Sequence, residues 1–318
     1  MERLDIAIWY EGNSQEESQV SENSSEIEVH LNFWKLPKSP TFDVGVMFPI
    51  EATTLFVFFA GVDIDNNFIC DITEKLEKEN VRNLIFNDYT KTTSCTQKAE
   101  GFHIAKIQGN CWCYYTKKYK VDVSKKYGGT LVQIKNSPCH KCNTDNMCGM
   151  RYTRLRICGQ SIKDFFSQNI DPKSAFQYFT TKYEMLDFRL NNVRSLPAEF
   201  IDSKSNLPKK IRRVRCFLIC EAGEEVLRVS SAYKKLRSLE KDGWRNYIEL
   251  NGNAGKLLAY QWNVDDENKV DYSLFAETRT SKLGVWRTLF LLFLAFLASV
   301  GASCISNLIC QKLGWVCQ

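Results

Sequence analysis

Residues 288–311 form a run of 24 positions without a charged side chain. An α-helix rises about 1.5 Å per residue, so a helix over this run would extend roughly 36 Å. Because the hydrocarbon core of a bilayer is about 30 Å thick, one tilted helix of this length spans it. Trp286 and Trp315 flank the run, where aromatic side chains anchor helices in the membrane interface. The sequence therefore predicts a transmembrane helix within residues 283–312, followed by a short tail, 313–318.

Positive charges are distributed unevenly around this predicted span. Arg279, Lys282 and Arg287 precede it, whereas only Lys312 follows it closely. The cytoplasmic flank of a membrane helix carries the excess of Lys and Arg. The first residues, MERLDIAIWYEG, lack the charged, apolar and small-residue pattern of a secretory signal. We therefore expect a single-pass protein of the plasma (inner) membrane whose large N-terminal part is cytoplasmic.

The second half of the predicted span differs from the first, which is rich in Leu and Phe. Small and weakly polar residues recur at intervals of four, namely Ala295, Ser299, Ser303 and Asn307 in one row and Ala298, Ala302 and Ser306 in another. Residues four apart share a helix face, and such stripes let membrane helices pack closely. The stripe favours self-association into a homo-oligomer, although a simple anchor whose serines bond to their own helix is the alternative. In an oligomer the helix-packing or pore-lining residues would be Ser299, Ser303, Ser306 and Asn307.

Short runs of alternating apolar and polar residues recur through the rest of the chain. Examples are LDIAIWYE (4–11), EIEVHLNFW (26–34) and IRRVRCFLIC (211–220). This alternation is typical of β-strands with one buried face. Because the strands do not alternate with long helical patterns, the predicted fold is mainly β. We expect an antiparallel sandwich or open barrel with a few short helices, plus the one C-terminal transmembrane helix.

Local patterns add predictions for single elements. Apolar spacing predicts a helix over 71–86, with Asp71 as its N-cap, and another over 231–243. Gly-Asn at 109–110 and Glu-Ala-Gly-Glu at 221–224 indicate hairpin turns.

The predicted division of the soluble part is a β-rich domain over 1–160, with an acidic loop and a Cys-rich loop, and a second β-rich region over 161–282.

Acidic and basic residues are unevenly distributed along the chain. Residues 1–80 contain 16 Asp and Glu against 5 Lys and Arg, yet the whole chain has a net charge of +5. Such a chain can bind an anionic partner with its basic part, or can pair its own two parts.

Four of the 13 cysteines have a spacing that suits a metal site. Cys139 and Cys142 are separated by two residues, the usual spacing of a zinc knuckle, and Cys111 and Cys113 could supply the other two ligands. Thiolate ligation of structural zinc fits a reducing cytosol. The first pair has only one intervening residue, and the chain uses cysteine freely elsewhere. Metal-free buried or loop thiols, or disulfides, are therefore the alternatives.

Basic and aromatic residues are interleaved in three stretches, YYTKKYKVDVSKKY (114–127), RYTRLR (151–156) and KKIRRVR (209–215). Lys and Arg neutralise phosphates and Tyr stacks on bases, so these stretches favour a nucleotide or single-stranded nucleic acid as ligand. Strand alternation would place Arg213 and Arg215 on one face. A solvated surface, pairing with the acidic residues 1–80 and contact with anionic lipid are the alternatives. The candidate ligand-binding residues are Lys117, Lys118, Lys120, Arg151, Arg154, Arg212, Arg213 and Arg215.

Motifs of common enzyme classes are absent from the sequence: it contains no GxxxxGK[ST], GxGxxG, HExxH or GxSxG. We therefore expect a protein without enzymatic activity. The layout, a cytoplasmic sensing part joined to a short membrane segment, resembles that of bacterial membrane effectors in nucleotide-signalled antiviral defence, although layout alone does not determine function. The leading hypothesis is a homo-oligomeric effector that senses an anionic ligand, a nucleotide or oligonucleotide, and controls a transmembrane pore. The alternative is a tail-anchored interaction or scaffold protein without a pore.

Overall fold

The chain forms two β-sheets and one long C-terminal helix in a computed structural model. The structure describes residues 3–12, 27–36, 39–86, 95–99, 102–107, 110–115, 121–135, 150–166, 180–202, 210–239, 241–244, 247–248, 256–265, 271–281 and 285–313.

The strands are, in chain order, β1 (Leu4–Glu11), β2 (Ile27–Trp34), β3 (Thr41–Pro49), β4 (Thr54–Ala60), β5 (Ile69–Asp71), β6 (Cys95–Ala99), β7 (Phe102–Ile107), β8 (Asn110–Tyr115), β9 (Val121–Lys126), β10 (Gly129–Lys135), β11 (Met150–Ile157), β12 (Thr181–Leu190), β13 (Ile211–Glu221), β14 (Glu224–Val229), β15 (Lys235–Leu239), β16 (Leu257–Asp265) and β17 (Tyr272–Ser281). The α-helices are α1 (Glu79–Phe86), α2 (Gln160–Phe166), α3 (Ala198–Asp202), α4 (Lys241–Trp244) and α5 (Val285–Leu313).

The strands divide between two sheets that share one large hydrophobic core. Sheet I has the order β14-β17-β12-β1-β4-β10-β9, and sheet II has the order β15-β16-β13-β2-β3-β11-β8-β7-β6, with β5 paired to β11. Alternate residues of the central strands face inward, as Val29, Leu31 and Phe33 do on β2 and Ile6 and Ile8 do on β1. The prediction of a mainly β fold with a few short helices and a C-terminal apolar helix is therefore confirmed.

Most pairs between the described strands are antiparallel, but three of them are parallel. β1 pairs with β12, β2 with β13 and β8 with β11 in parallel register. The first two of these pairs join the N-terminal strands to strands from the second half of the chain. Strands from both predicted ranges, 1–160 and 161–282, therefore contribute to both sheets and to the same core.

The local predictions have mixed outcomes. The predicted helix over 71–86 is divided into a 3-10 turn, Thr73–Glu77, and α1, and the Asp71 carboxylate accepts a 2.9 Å hydrogen bond from the Thr73 N–H. The predicted hairpin at 109–110 is confirmed, because β7 and β8 pair antiparallel, but Asn110 lies opposite Ile107 as the first residue of β8 and is not part of the turn.

Two local predictions are wrong. Most of 231–243 is not helical, since Lys235–Leu239 forms β15, which pairs with the edge of β16. The turn at 221–224 is not a hairpin, because β13 belongs to sheet II and β14 to sheet I. The chain changes sheets here, and Glu224 becomes buried between them in an ion pair with Lys35.

Helix α5 is 29 residues long and begins shortly after β17. Its stretch Leu289–Ile309 has a mean hydropathy of 2.3. The most apolar residues of this stretch are not buried by any other described part of the chain. Within the described residues this helix alone is long and apolar enough to cross a membrane. The predicted span is thus confirmed as a helix of suitable length and composition.

Candidate ligand-binding face and membrane span

The face of sheet II that is turned away from the large core packs in part against a second hydrophobic cluster, which includes Trp34, Phe86 and Phe217. The same face carries a row of polar residues across adjacent strands. Strand register aligns Arg154 with Gly45, Gly45 with His30, and His30 with Arg215. Tyr152 lies two residues before Arg154 and Arg213 lies two residues before Arg215, so both are on the same side of the sheet. We call this set of residues the basic face: His30, Tyr152, Arg154, Arg213 and Arg215.

The arginines of β13 occupy this face because of strict strand alternation. Val214 and Cys216 point into the core, so Arg213 and Arg215 point outward on the same side, as predicted. The Arg213 guanidinium lies 3.5 Å from the Glu28 carboxylate, and both side chains remain partly accessible. The acidic N-terminal part and the basic later part of the chain therefore pair with each other at this point.

Gly45 makes room for the side chains of the basic face. A Cβ atom at this position would overlap the Tyr152 hydroxyl oxygen and would lie 2.8 Å from Arg154 Nη1. Real Cβ atoms do not approach other heavy atoms so closely. Glycine is thus required here because two large side chains cross directly over the backbone of β3.

Asp43 lies beside this row and is the centre of a buried hydrogen-bond network. Its Oδ2 accepts hydrogen bonds from Trp34 Nε1 at 2.9 Å and from the Tyr247 hydroxyl at 2.6 Å. Arg156 donates to both carboxylate oxygens, at 2.7 and 2.9 Å. Burial alone would raise the pKa of Asp43, but the charge and hydrogen bonds of Arg156, then Arg154, outweigh this effect and lower it. The carboxylate is therefore ionised and fully paired.

Arg154 lies in this network rather than at the surface. Its side chain is fully buried, and it donates hydrogen bonds from Nε to the Tyr247 hydroxyl at 2.6 Å and from Nη1 to the Tyr152 hydroxyl at 2.8 Å. Its Nη2 lies 3.9 Å from Asp43. Two of the three guanidinium nitrogens therefore bind internal hydroxyl groups, whereas Nη2 makes no hydrogen bond to a described residue. Arg154 thus holds the Tyr152 and Tyr247 hydroxyls in position.

His30 is buried in the middle of the row with its imidazole neutral. Burial lowers its pKa well below the usual value, and the charges of Arg215, Arg154 and Arg213 lower it further. Its Nδ1 lies 3.3 Å from the Tyr152 hydroxyl. Its Nε2 is buried and has no hydrogen-bond partner among the described residues. The positive charge of the basic face therefore comes from arginine alone.

Helix α1 ends over this part of the sheet. The carbonyl of its last residue, Phe86, accepts a 2.7 Å hydrogen bond from Arg215 Nη1. The Phe86 ring lies edge-on to His30, with ring centroids 5.3 Å apart, and to Tyr152, with centroids 5.1 Å apart. A cation at a helix C-terminus is favourable because the last carbonyls carry partial negative charge. Arg215 thus joins the helix end to the basic face.

The other predicted ligand-binding residues lie elsewhere. Arg151 is 3% exposed and lies on the opposite face of β11 from Arg154. Arg212 is exposed, at an irregularity in the register of β13. Lys117, Lys118 and Lys120 lie outside the described residues. The structure therefore brings Arg154, Arg213 and Arg215 together, and that they bind a ligand stays a prediction.

The predicted zinc ligands fall where the structure gives no side-chain positions. Cys111 and Cys113 belong to β8, whose backbone alone is described, and Cys139 and Cys142 lie outside the described residues. No group of three or more His, Cys, Asp or Glu in the described part of the chain could hold a metal ion. The structural zinc site stays a prediction.

The polar stripe of α5 is exposed on the isolated chain. Ser299, Ser303, Ser306 and Asn307 are all exposed, as are the large side chains of the helix, including Phe293 and Phe296. No described element of the β-rich part covers them. Lipid or other protein helices must therefore surround this helix in a membrane.

Three functional-site features were not predicted from the sequence: the partners Asp43 and Tyr247, the central His30, and the requirement for Gly45. Asp43 and Tyr247 lie far apart in the chain, and sequence spacing gives no signal for such a contact. The alternation of EIEVHLNFW does place His30 on the outward face of β2, which is a usable signal for its position.

No protein-family model matches the chain, and no curated protein is significantly similar to it. The functional argument therefore depends on the residues and geometry described above.

Proposed function

We propose that the protein is a homo-oligomeric membrane effector whose β-rich cytoplasmic domain binds an anionic ligand, a nucleotide or oligonucleotide, and controls the packing or opening of its membrane helices. The main observation behind this proposal is the short connection between sheet I and the apolar helix α5. β17 pairs with β12 from Tyr272 to Ser281, and α5 begins at Val285. The Cα atoms of Ser281 and Val285 are four steps apart in the chain and can be separated by at most about 14 Å. A displacement of sheet I would therefore move the start of the membrane helix.

The basic face supports the choice of an anionic ligand. Arg213 and Arg215 are partly accessible and lie on one face of sheet II, beside the buried side chains of Tyr152 and His30. Guanidinium groups bind phosphate with two parallel hydrogen bonds. The buried network around Asp43 holds the neighbouring strands in place, because Tyr247, Arg154 and Arg156 each make at least two hydrogen bonds within it.

Self-association is supported by the exposed stripe of α5. Within the described residues no second helix could span the membrane, so none is found there against which Ser299, Ser303 and Asn307 could pack. Small and hydroxyl-bearing side chains at intervals of four allow close helix contacts and hydrogen bonds between helices. Copies of the same chain therefore suit this surface, and a ring of such helices would form the pore.

A liposome experiment tests the ligand and the pore together. The full-length protein would be reconstituted into vesicles, and binding of labelled oligonucleotides and ion flux would be measured across a salt series. We expect Arg213→Gln with Arg215→Gln to weaken binding and to reduce the salt dependence, by roughly 0.7 in the logarithmic slope for each lost phosphate contact. The matched control, Arg194→Gln with Arg228→Gln, removes two exposed arginines that lie outside the basic face and outside the three basic and aromatic stretches, and it should bind like the wild type.

The outcomes separate the two hypotheses. Binding with ligand-dependent flux supports the effector. Binding without flux supports the tail-anchored interaction protein, and equal losses in the control variant would assign binding to non-specific charge. The absence of binding at low salt would exclude an anionic ligand of this class.

A further inference from the structure

A cavity of about 480 Å³ lies where the ends of the two sheets meet near the start of α5. Its wall includes Thr280 and Ser281, the last residues of β17. It does not include the basic face. It is therefore a second candidate site, and it lies only a few residues from the membrane helix.

The floor of this cavity is a buried ion cluster that joins the sheets. Lys35, which follows β2, contacts Glu184 Oε2 at 2.8 Å, Thr278 Oγ1 at 2.6 Å and the Glu224 carboxylate. Lys35, Glu184 and Glu224 are each about one tenth exposed. Lys182 pairs with the other oxygen of Glu184. These four charges satisfy one another, so the floor is polar but already paired.

The mouth of the cavity offers one further charge of each sign. Lys163 is exposed and Glu221 is partly exposed, and both line the cavity. Neither forms an ion pair with another described residue. The whole lining contains three lysines and three glutamates, so it is balanced in charge. A polyanion such as a nucleotide does not match a balanced lining, whereas a small molecule that carries both charges does.

The surroundings of the mouth suit a lipid headgroup. Leu36, Pro40 and Phe166 add an apolar part to the lining, of which Leu36 is partly exposed and the other two are buried. The chain passes from Ser281, in the cavity wall, to Val285, in the membrane helix, within four residues. The headgroup layer on each side of a bilayer is several Å deep, and interfacial contacts occur at this depth.

We propose that this cavity binds the headgroup of a zwitterionic phospholipid with a primary ammonium group, of the phosphoethanolamine class. Lys163 contacts the phosphate, and the Glu221 carboxylate accepts hydrogen bonds from the ammonium. A primary ammonium has three N–H donors, whereas the quaternary ammonium of a choline headgroup has none. The site therefore distinguishes ethanolamine from choline lipids.

The test is a titration of the full-length protein in detergent with short-chain phosphatidylethanolamine or phosphatidylcholine, with bound lipid counted by native mass spectrometry. Because the choline headgroup cannot donate a charge-assisted hydrogen bond to Glu221, we expect at least about tenfold tighter binding of the ethanolamine lipid. Lys163→Gln with Glu221→Gln should remove this preference. The matched control, Lys135→Gln with Glu51→Gln, should retain it, because both positions lie on the surface away from the cavity.

Equal binding of the two lipids by the wild type, or a preference that survives in the Lys163 and Glu221 variant, would overturn the proposal. A competition measurement with free O-phosphoethanolamine distinguishes a lipid from a soluble ligand. If this compound displaces the lipid at equal concentration, the cavity binds phosphoethanolamine as a soluble molecule, and the proposal that it binds a membrane lipid is overturned. The readout is lipid occupancy, so it does not depend on nucleotide binding or flux.

Discussion

Tyr247 and Asp43 are separated by 204 residues in the chain and are joined by a 2.6 Å hydrogen bond in the interior. The same hydroxyl accepts a hydrogen bond from Arg154 Nε, so one oxygen links a carboxylate to a buried guanidinium. Arg156 also stacks over the Tyr247 ring, 4.7 Å from its centroid. Tyr247 therefore connects the segment before β16 to the strands that form the basic face.

Removing this hydroxyl should destabilise the protein. Tyr247→Phe leaves the Arg154 Nε–H without its acceptor and deprives Asp43 of a donor, so we expect a loss of about 1–3 kcal/mol in the free energy of unfolding. Denaturant titration of the full-length protein in detergent would measure this by tryptophan fluorescence, since Trp34 and Trp244 lie 5.1 Å apart beside Tyr247. Tyr233→Phe, at an exposed position, is the matched control. An unchanged midpoint for Tyr247→Phe would contradict the network.

Substituting Gly45 should be more damaging than a typical glycine change. Gly45→Ala forces Tyr152 and Arg154 to move out of a close-packed position, which costs about 1–3 kcal/mol or more. Gly12→Ala is the control, because a Cβ there meets no atom within 4 Å. Thermal unfolding of the two variants should differ clearly. If both variants melt like the wild type, the side chains over Gly45 are not held in place.

The buried His30 should make stability depend on pH. Its pKa is lowered in the folded protein, so below about pH 6.5 the unfolded chain binds a proton that the folded protein excludes. Stability should therefore fall as the pH decreases from 6.5 toward the folded pKa, by at most about 1.4 kcal/mol per pH unit for one proton. His30→Gln should flatten the profile in this window. The idea fails if the wild type and His30→Gln give parallel profiles between pH 5 and 7.

The polar stripe of α5 should determine assembly in the membrane. Replacing Ser299, Ser303 and Asn307 together by Leu removes the small and polar contacts, each of which contributes about 0.6–2 kcal/mol between membrane helices. Single-molecule photobleaching in dilute vesicles should then count fewer subunits per particle. The control replaces Leu289, Leu292 and Leu297 by Ile and should assemble normally. Unchanged subunit counts in the Leu variant would show that α5 only anchors the chain.

Alternation predicts individual strands well because one face of each strand is buried. The strands at 4–11, 26–34 and 211–220 are found almost at their predicted bounds. The same pattern cannot predict which strands pair, since pairing depends on contacts between distant segments. For this reason the parallel pairs were missed.

Turn and helix signals failed where tertiary contacts outweighed them. Glu-Ala-Gly-Glu at 221–224 has the composition of a hairpin turn, but Glu224 pairs with Lys35, and β14 continues in the other sheet. In the stretch 231–243, the helix propensity of the residues is outweighed by pairing with the edge of β16.

For the candidate site, strand alternation was sufficient to predict that Arg213 and Arg215 lie on one face. It could not show that Arg154 is buried, because Tyr247 arrives from a remote part of the chain.

The parallel pairs of β1 with β12 and of β2 with β13 also affect how the chain acquires its structure. As synthesis proceeds, β1 and β2 each offer an unsatisfied backbone edge until strands roughly 180 residues later have been made. Contacts of such long sequence separation slow folding, because the intervening loop must close first. A nascent chain that ends before β12 would expose two open edges to neighbouring chains. Protection from aggregation during biosynthesis is therefore a requirement of this topology, and it applies until the second half of the chain has been completed.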